Sequence, residues 1–140
     1  MDKLLQLEEE LSFQHFSHEN AYQFGQNVLE IVKTEHLKPV RIRVKYEDDI
    51  IFQYLMDGKK GEEWLNRKER TFLESQHSSL YVYENQKDYS DMVNNENYAV
   101  CGGGFPLIVQ DEIKGVFCVS GLRHDEDHDL IIKALKRLKP

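Results

Sequence analysis

Three consecutive glycines, Gly102, Gly103 and Gly104, stand directly before two apolar segments that are joined by an acidic turn. The segments at 105–109 and 115–121 have the length and composition of β-strands, and residues 110–114 lie between them. So short a connection predicts a β-hairpin, in which the start of the first strand lies beside the end of the second. The glycine run is therefore predicted to lie next to Ser120, at one corner of an antiparallel sheet.

A second hairpin is predicted from the strict alternation of residues 40–46. One face of that segment is apolar, and the other face carries Arg41, Arg43 and Lys45. The basic face is interpreted as a solvated surface, with an oligomer contact as the alternative. After a turn at 47–49, the mainly apolar segment at 50–55 predicts a second, more thoroughly buried strand.

Helical patterns surround both hairpins. Two helices are predicted before the first hairpin, the second from about 18 to 35 with Ser17 as its N-cap. Gly25 within it indicates close packing against a neighbouring element. Residues 62–76, a segment capped near Ser78, and residues 125–138 predict the others, while the polar stretch 87–97 predicts a surface loop or irregular helix. The order α-α-β-β-α-α-β-β-α describes one α/β (α+β) domain over residues 1–140, with helices covering an antiparallel sheet.

Charge and hydropathy exclude several functional classes. The formal net charge of −7 repels phosphate groups, so neither nucleic acid nor an anionic membrane surface is expected as a partner. No apolar run approaches the roughly 20 residues that span a bilayer. The N-terminus lacks the order of a signal peptide, and the two cysteines, Cys101 and Cys118, suit a reducing compartment. A cytoplasmic location is expected.

The predicted corner is the strongest candidate for a binding site. Backbone amides of the glycine run, the Ser120 hydroxyl and the amides near Asp125 are predicted to converge there, and such groups bind anions. His124 and His128 lie one helical turn apart near the same corner. The alternative is that the glycines mark a tight crossing where side chains do not fit.

Other residues near the corner have competing interpretations. Asp125, Asp127 and Asp129 are interpreted as helix caps and dipole partners rather than metal ligands, so no metal site is predicted. Cys101 is a nucleophile only if a neighbouring base lowers its pKa. The helix that carries Trp64, Arg67 and Lys68 is predicted to pack on the sheet with its basic side toward solvent, and ligand contact is the alternative.

The order and spacing of four segments resemble a known family. They are WLNRK at 64–68, YAVCGGGFPL at 98–107, VSGL at 119–122 and EDHDL at 126–130. Together they are similar to uncharacterised protein family 0303, a branch of the haem-degrading-domain superfamily that also contains GlcG, HbpS and the C-terminal part of PduO. The resemblance covers nearly the whole chain. It implies a profilin-like fold, oligomers, and haem or another tetrapyrrole as the cofactor to consider.

Two positions depart from the family pattern. Cys101 stands where a histidine is common, and Arg123-His124 stands where a Pro-Gln pair is common. A catalytic or ligating role that a histidine would have at position 101 is therefore in doubt for this chain. His128 matches the Asp-His pattern of the family and is the first residue to which a family role would be assigned.

Three functional hypotheses result. The first is a protein that binds a small anionic ligand at the glycine corner, through Gly102, Gly103, Gly104, Ser120 and His128, with Phe105, Tyr98, Trp64 and Arg67 in contact. The second is a non-enzymatic assembly or adaptor protein that binds itself and a protein partner. The third is an enzyme in which His128 acts as a base beside Cys101 or Ser120, but no ordered triad supports it.

Overall fold

A computed structural model describes residues 2–139. Its helices and strands follow the predicted order: α1 (Lys3–Glu10), α2 (His18–Thr34), β1 (Arg41–Tyr46), β2 (Asp49–Leu55), α3 (Glu63–Ser75), α4 (Ser79–Glu84), α5 (Ser90–Val93), β3 (Gly104–Val109), β4 (Glu112–Ser120) and α6 (His124–Leu138). A 3₁₀ turn, Gln86–Tyr89, precedes α5. These two short elements occupy the polar stretch that was predicted as a loop or an irregular helix.

The four strands form one antiparallel sheet in the order β2-β1-β4-β3, which confirms the predicted fold class. Each hairpin supplies one central and one edge strand. The central strands β1 and β4 pair from Arg41↔Ser120 to Tyr46↔Gly115. The end of β4 therefore lies between the start of β1 and the start of β3, and this end of the sheet carries the glycine corner.

Helices α2 and α6 cover one face of the sheet and enclose the main core. Phe24, Ile31, Ile131 and Leu135 from these helices pack on Ile42, Val44, Phe105, Leu107, Phe117 and Val119 from the strands. Helix α2 begins where predicted, with the Ser17 hydroxyl accepting the Asn20 N–H at 3.1 Å. A Cβ at Gly25 would overlap the ring of Phe52, which confirms the close packing predicted for this glycine.

The basic face of β1 is buried, which corrects the expectation of a solvated or oligomer-contacting surface. Helix α3 covers it, and Arg43 is only 5% exposed. The Arg43 guanidinium donates to Glu69 Oε1 at 3.2 Å, to Glu62 Oε2 at 3.0 Å and to Asn66 Oδ1 at 2.7 Å. The carboxylates of Glu62 and Glu69 thus compensate the charges of β1, and the basic face of this strand lies inside the protein.

Strand β2 is exposed, so the prediction that it is the more buried strand was wrong. It lies at the edge of the sheet, where Ile50, Tyr54 and Leu55 are 46%, 47% and 39% exposed. An apolar run alone does not distinguish a central from an edge strand, because strand order depends on distant pairing. None of the helices that the structure describes within 2–139 is long and apolar enough to cross a membrane.

Candidate functional site

The side chain of Lys68 crosses directly over Gly103 at the corner. A Cβ at Gly103 would lie 2.8 Å from Lys68 Cδ, 2.7 Å from Lys68 Nζ and 2.5 Å from the carbonyl oxygen of Val119. The φ angle of Gly103 is +128°, which residues with a side chain rarely adopt. Gly103 is therefore required at this position by both space and backbone conformation.

The flanking glycines use their amides within the protein. The N–H of Gly102 donates to Nδ1 of His124 at 3.1 Å, and the N–H of Gly104 donates to the hydroxyl of Ser79 at 2.9 Å. A Cβ at Gly102 would overlap the carbonyl oxygen of His124. The run thus connects the start of β3 to α4 and α6 through hydrogen bonds to side chains and through close packing, as the crossing interpretation expects.

A buried ion pair joins α3 to α6 beside the glycines. Lys68 Nζ lies 2.7 Å from Asp127 Oδ2 and donates to the carbonyl oxygen of Val119 at 3.3 Å. Asp127 Oδ1 accepts the N–H of Leu122 at 2.9 Å, so the carboxylate also ties the segment before α6 to the first turn of that helix. Burial raises the pKa of Asp127, and the Lys68 ammonium opposes that effect.

The burial of Lys68 overturns the expectation that the basic side of α3 faces solvent. Lys68 is 3% exposed and points at Asp127 rather than at water. The sequence did contain a signal, since Leu65, Lys68 and Phe72 share one side of the helix at steps of three and four. A lysine within an apolar stripe indicates a buried acidic partner, and that partner lies 59 residues away.

A cavity of about 360 Å³ opens beside this ion pair. Its walls are Lys59, Trp64, Lys68, Cys101, Ser120, Gly121, Leu122, His124 and Asp127. The structure therefore brings together the predicted residues Trp64 and Ser120. Arg67 lies behind the indole, with its guanidinium carbon 4.4 Å from the Trp64 ring centroid, and donates to the carbonyl oxygen of Tyr98 at 2.8 Å.

His128 lies beneath the glycine run rather than in the cavity wall. It is 5% exposed, and its Cβ would lie 3.1 Å from a Cβ placed on Gly102. Its ring meets the edge of Phe105 at a centroid distance of 5.8 Å. Neither ring nitrogen has a hydrogen-bond partner among residues 2–139. Burial lowers the pKa of His128 to about 4, and Asp129 only partly opposes this, so the ring is neutral at physiological pH.

Cys101 borders the cavity as a thiol, not as a thiolate. It is half-buried, and burial raises its pKa more than the nearby Lys68 and Arg67 charges lower it. A neutral thiol is a weak nucleophile and a weak metal ligand. Within the part of the chain that the structure describes, no three His, Cys, Asp or Glu side chains are grouped so that they could hold a metal ion.

His124 is a wall residue that the sequence singled out only for its spacing from His128. It is the first residue of α6, and its ring packs against Tyr83 at a centroid distance of 4.6 Å. Its Nδ1 accepts the N–H of Gly102, so the imidazole ring lies between the glycine run and the cavity. Lys59 was not predicted either, because it lies in a glycine-flanked loop without a motif.

The fold and sequence have relatives among known proteins. A UPF0303 protein of Psychromonas ingrahamii is 31% identical over 147 residues, which covers 99% of this chain and 92% of that protein. The solved structure of the Ybr137w protein superposes with a TM-score of 0.83 at 23% identity, covering 95% of this chain and 83% of the other. The structure of a PduOC:heme complex superposes with a TM-score of 0.73 at 15% identity, covering 86% and 93%.

A sequence profile gives the same assignment along most of the chain. The profile described as "Haem degrading protein HbpS-like" matches residues 16–136, from the residue before the N-cap of α2 to the last turns of α6. The matched range contains all four strands and the whole corner. This chain therefore belongs to the HbpS-like haem-degrading protein family, in agreement with its likeness to the UPF0303 proteins.

Proposed function

We propose that this protein binds a small anionic organic ligand in the corner cavity. The observation that carries the proposal is Trp64, a large aromatic side chain that remains 54% exposed at the wall of a cavity beside Lys59, Ser120 and His124. An aromatic surface next to a few convergent polar groups is the usual composition of a small-molecule site.

The aromatic wall is held in place before any ligand arrives. Arg67 covers one face of the indole and is fixed by its two hydrogen bonds to the carbonyl oxygen of Tyr98, at 3.1 and 2.8 Å. Ordering a side chain costs free energy on binding, so a wall fixed in advance favours affinity. Arg67 is thus proposed to support Trp64 and to add positive charge near the ligand.

The glycines and His128 are proposed to shape the cavity floor. The amides of Gly102 and Gly104 are already bonded to His124 and Ser79, so the ligand's polar groups would be received by side chains instead. Phe105 and His128 contact each other and are not among the residues that line the cavity. The role of Gly102, Gly103, Gly104, Phe105 and His128 in ligand binding remains a prediction. Their positions support an indirect role, in which they hold the residues of the cavity wall in place.

A tetrapyrrole is the ligand that the family relationship suggests, and a related fold is known in complex with heme. The residues present do not fit iron coordination. Cys101 is protonated, His128 lies outside the wall, and His124 accepts a hydrogen bond on Nδ1, which leaves the proton on Nε2. We therefore propose binding through the ligand's carboxylates and ring plane, without a protein ligand to iron.

Fluorescence titration tests this proposal directly, because Trp64 is the only tryptophan in the chain. Haemin and metal-free protoporphyrin IX are each added to the protein, and quenching of Trp64 together with the Soret band reports binding. Lys59→Ala is expected to weaken binding of both compounds. Lys60→Ala is the matched control, since Lys60 is exposed and lies outside the cavity wall. If neither compound quenches Trp64 fluorescence in a saturable way, the proposal is refuted.

We also propose a cytoplasmic location and a single functional domain over residues 1–140. Both cysteines are free thiols, as a reducing compartment maintains them. Helix α2 near one end of the chain and α6 at the other pack on the same face of the sheet, so the described residues share one main core.

A second candidate function, assembly with other copies, is supported by the exposed edge strand β2. Its exposed side chains include Ile50, Tyr54 and Leu55, and an edge strand has unpaired backbone groups. Two copies related by a two-fold axis can pair such strands antiparallel, which satisfies the free backbone groups of both edges. We propose a homo-oligomer on this basis, whether or not an adaptor role accompanies it.

A further inference from the structure

The glycine run holds His124 in one tautomer. The N–H of Gly102 donates to His124 Nδ1 at 3.1 Å, and a ring nitrogen that accepts a hydrogen bond carries no proton. The neutral ring therefore has its proton on Nε2. Packing against Tyr83, at a centroid distance of 4.6 Å, holds the plane of the ring as well. Both the orientation and the protonation pattern of this side chain are thus set by its neighbours.

This tautomer decides what the cavity can bind. His124 is part of the wall, and within residues 2–139 no group is hydrogen-bonded to its Nε2. An N–H group binds an oxygen acceptor and has no lone pair to give to a metal ion. Metal binding at Nε2 would move the proton to Nδ1, where it would face the N–H of Gly102, and two donors would then oppose each other.

From this geometry we infer that His124 selects ligands through an oxyanion, a carboxylate or a phosphate, which accepts the Nε2–H, and that it does not ligate iron. Lys59 borders the same cavity and supplies a positive charge, while the negative charge of Asp127 is compensated by Lys68. The inference rests on the proposed function and deepens it. It names the group on the ligand that the cavity recognises and the residue that recognises it.

Two nearly isosteric substitutions separate this role from a structural one. In His124→Gln, the amide oxygen can accept from Gly102 while the amide nitrogen still donates toward the ligand. In His124→Glu, the carboxylate can also accept from Gly102 but offers the ligand a negative charge instead of a donor. Gln6→Glu, at an exposed position of α1, makes the same carboxamide-to-carboxylate change away from the cavity and controls for net charge.

The probes are protoporphyrin IX and haemin, which carry the same propionate groups and differ in iron. We expect His124→Gln to bind both within about threefold of wild type and His124→Glu to lose about tenfold or more for both. Nitrogen-15 NMR of the free protein is expected to show Nδ1 of His124 unprotonated and Nε2 protonated. Melting temperatures of both variants equal to that of the wild type would establish that both fold.

Four results would overturn the inference. One is a protonated Nδ1 in the free protein. A second is binding in His124→Glu that is unchanged from wild type. A third is a loss of binding confined to haemin with a change of its Soret band, which would indicate iron ligation by His124. The fourth is a wild-type protein that binds neither probe, which refutes the proposed function itself and is recognised because it appears before any substitution is made.

Discussion

Lys68 Nζ and Asp127 Oδ2 lie 2.7 Å apart at the end of the sheet, and both side chains are almost fully buried. The pair connects α3, on one face of the sheet, to α6, which covers the opposite face. Lys68 also donates to the carbonyl oxygen of Val119 at the end of β4. Three elements that are distant in the sequence are thereby joined at the wall of the corner cavity.

Removing one member of this pair is expected to destabilise the protein strongly. Lys68→Met leaves the Asp127 carboxylate buried without its cation, and a loss of about 3–5 kcal/mol in the free energy of unfolding is expected. The double variant Lys68→Met/Asp127→Asn should lose clearly less than the sum of the single losses, because it no longer contains a buried charge. Urea denaturation monitored by circular dichroism measures the free energy of unfolding of the wild type, Lys68→Met, Asp127→Asn and the double variant.

The exposed ion pair between Lys133 and Glu35 is the matched control for these measurements on Lys68 and Asp127. Its side chains are 44% and 41% exposed, so Lys133→Met should cost less than about 1 kcal/mol. If Lys68→Met costs no more than Lys133→Met, the Lys68–Asp127 pair does not hold the corner together.

Gly103 is predicted to reject any side chain. Gly103→Val forces a branched residue into φ +128° and against both the Val119 carbonyl and the Lys68 stem, at a cost of about 2–4 kcal/mol. Thermal unfolding measures the effect, together with loss of protoporphyrin IX binding. Gly61→Val is the control, since Gly61 also has a positive φ (+77°) but nothing within 4 Å of an added Cβ. Equal losses at both positions would contradict the close crossing by Lys68.

Features that depend on local chemistry could be predicted from the sequence. Ser17 caps α2, Gly25 packs against another element, and both hairpins form where the apolar alternation and turns indicate them. The position of Gly102 to Gly104 beside the end of β4 also follows, because an antiparallel hairpin admits only that geometry.

Features that depend on distant partners could not be predicted in the same way. Arg43 and Lys68 are cations whose partners, Glu69 and Asp127, are identified only by the fold, although the apolar stripe around Lys68 indicates that this residue is buried. The role of His124 depends on a backbone N–H that comes from a different element, 22 residues away in the chain. For the same reason the edge position of β2 was missed, since strand order results from the pairing of β1 with β4.

Self-association is expected to require the exposed edge strand. Light scattering at micromolar concentration should give a mass at least twice the 16.6 kDa of one chain. Tyr54→Lys places a charge at an exposed position of the edge strand β2 and should shift the mass toward the monomer. Val93→Lys, at an exposed apolar residue of α5, is the control and should leave the mass unchanged. A wild-type protein that is monomeric at every concentration would contradict the proposed assembly.

His128 is expected to make the protein less stable as the pH falls below neutrality. Its pKa is lowered from 6.5 to about 4 by burial in the folded state, so below pH 6.5 the unfolded chain binds a proton that the folded chain does not. The free energy of unfolding is therefore highest above pH 6.5 and falls by about 3 kcal/mol in total as the pH is lowered toward 4.

Substitution of His128 tests this pH dependence and the residue's role together. His128→Leu removes two buried nitrogens that have no partner among residues 2–139, so stability at neutral pH should be retained or increased by about 1 kcal/mol. The difference in stability between variant and wild type should then grow as the pH is lowered from 6.5 to 4. Urea denaturation over this range measures this difference, with His15→Leu at an exposed position as the control.

Because His128 is not part of the cavity wall, the His128→Leu variant should still bind protoporphyrin IX. A difference in stability that does not vary with pH would show that the ring is not buried in its neutral form, and loss of binding at unchanged stability would make His128 a direct ligand contact.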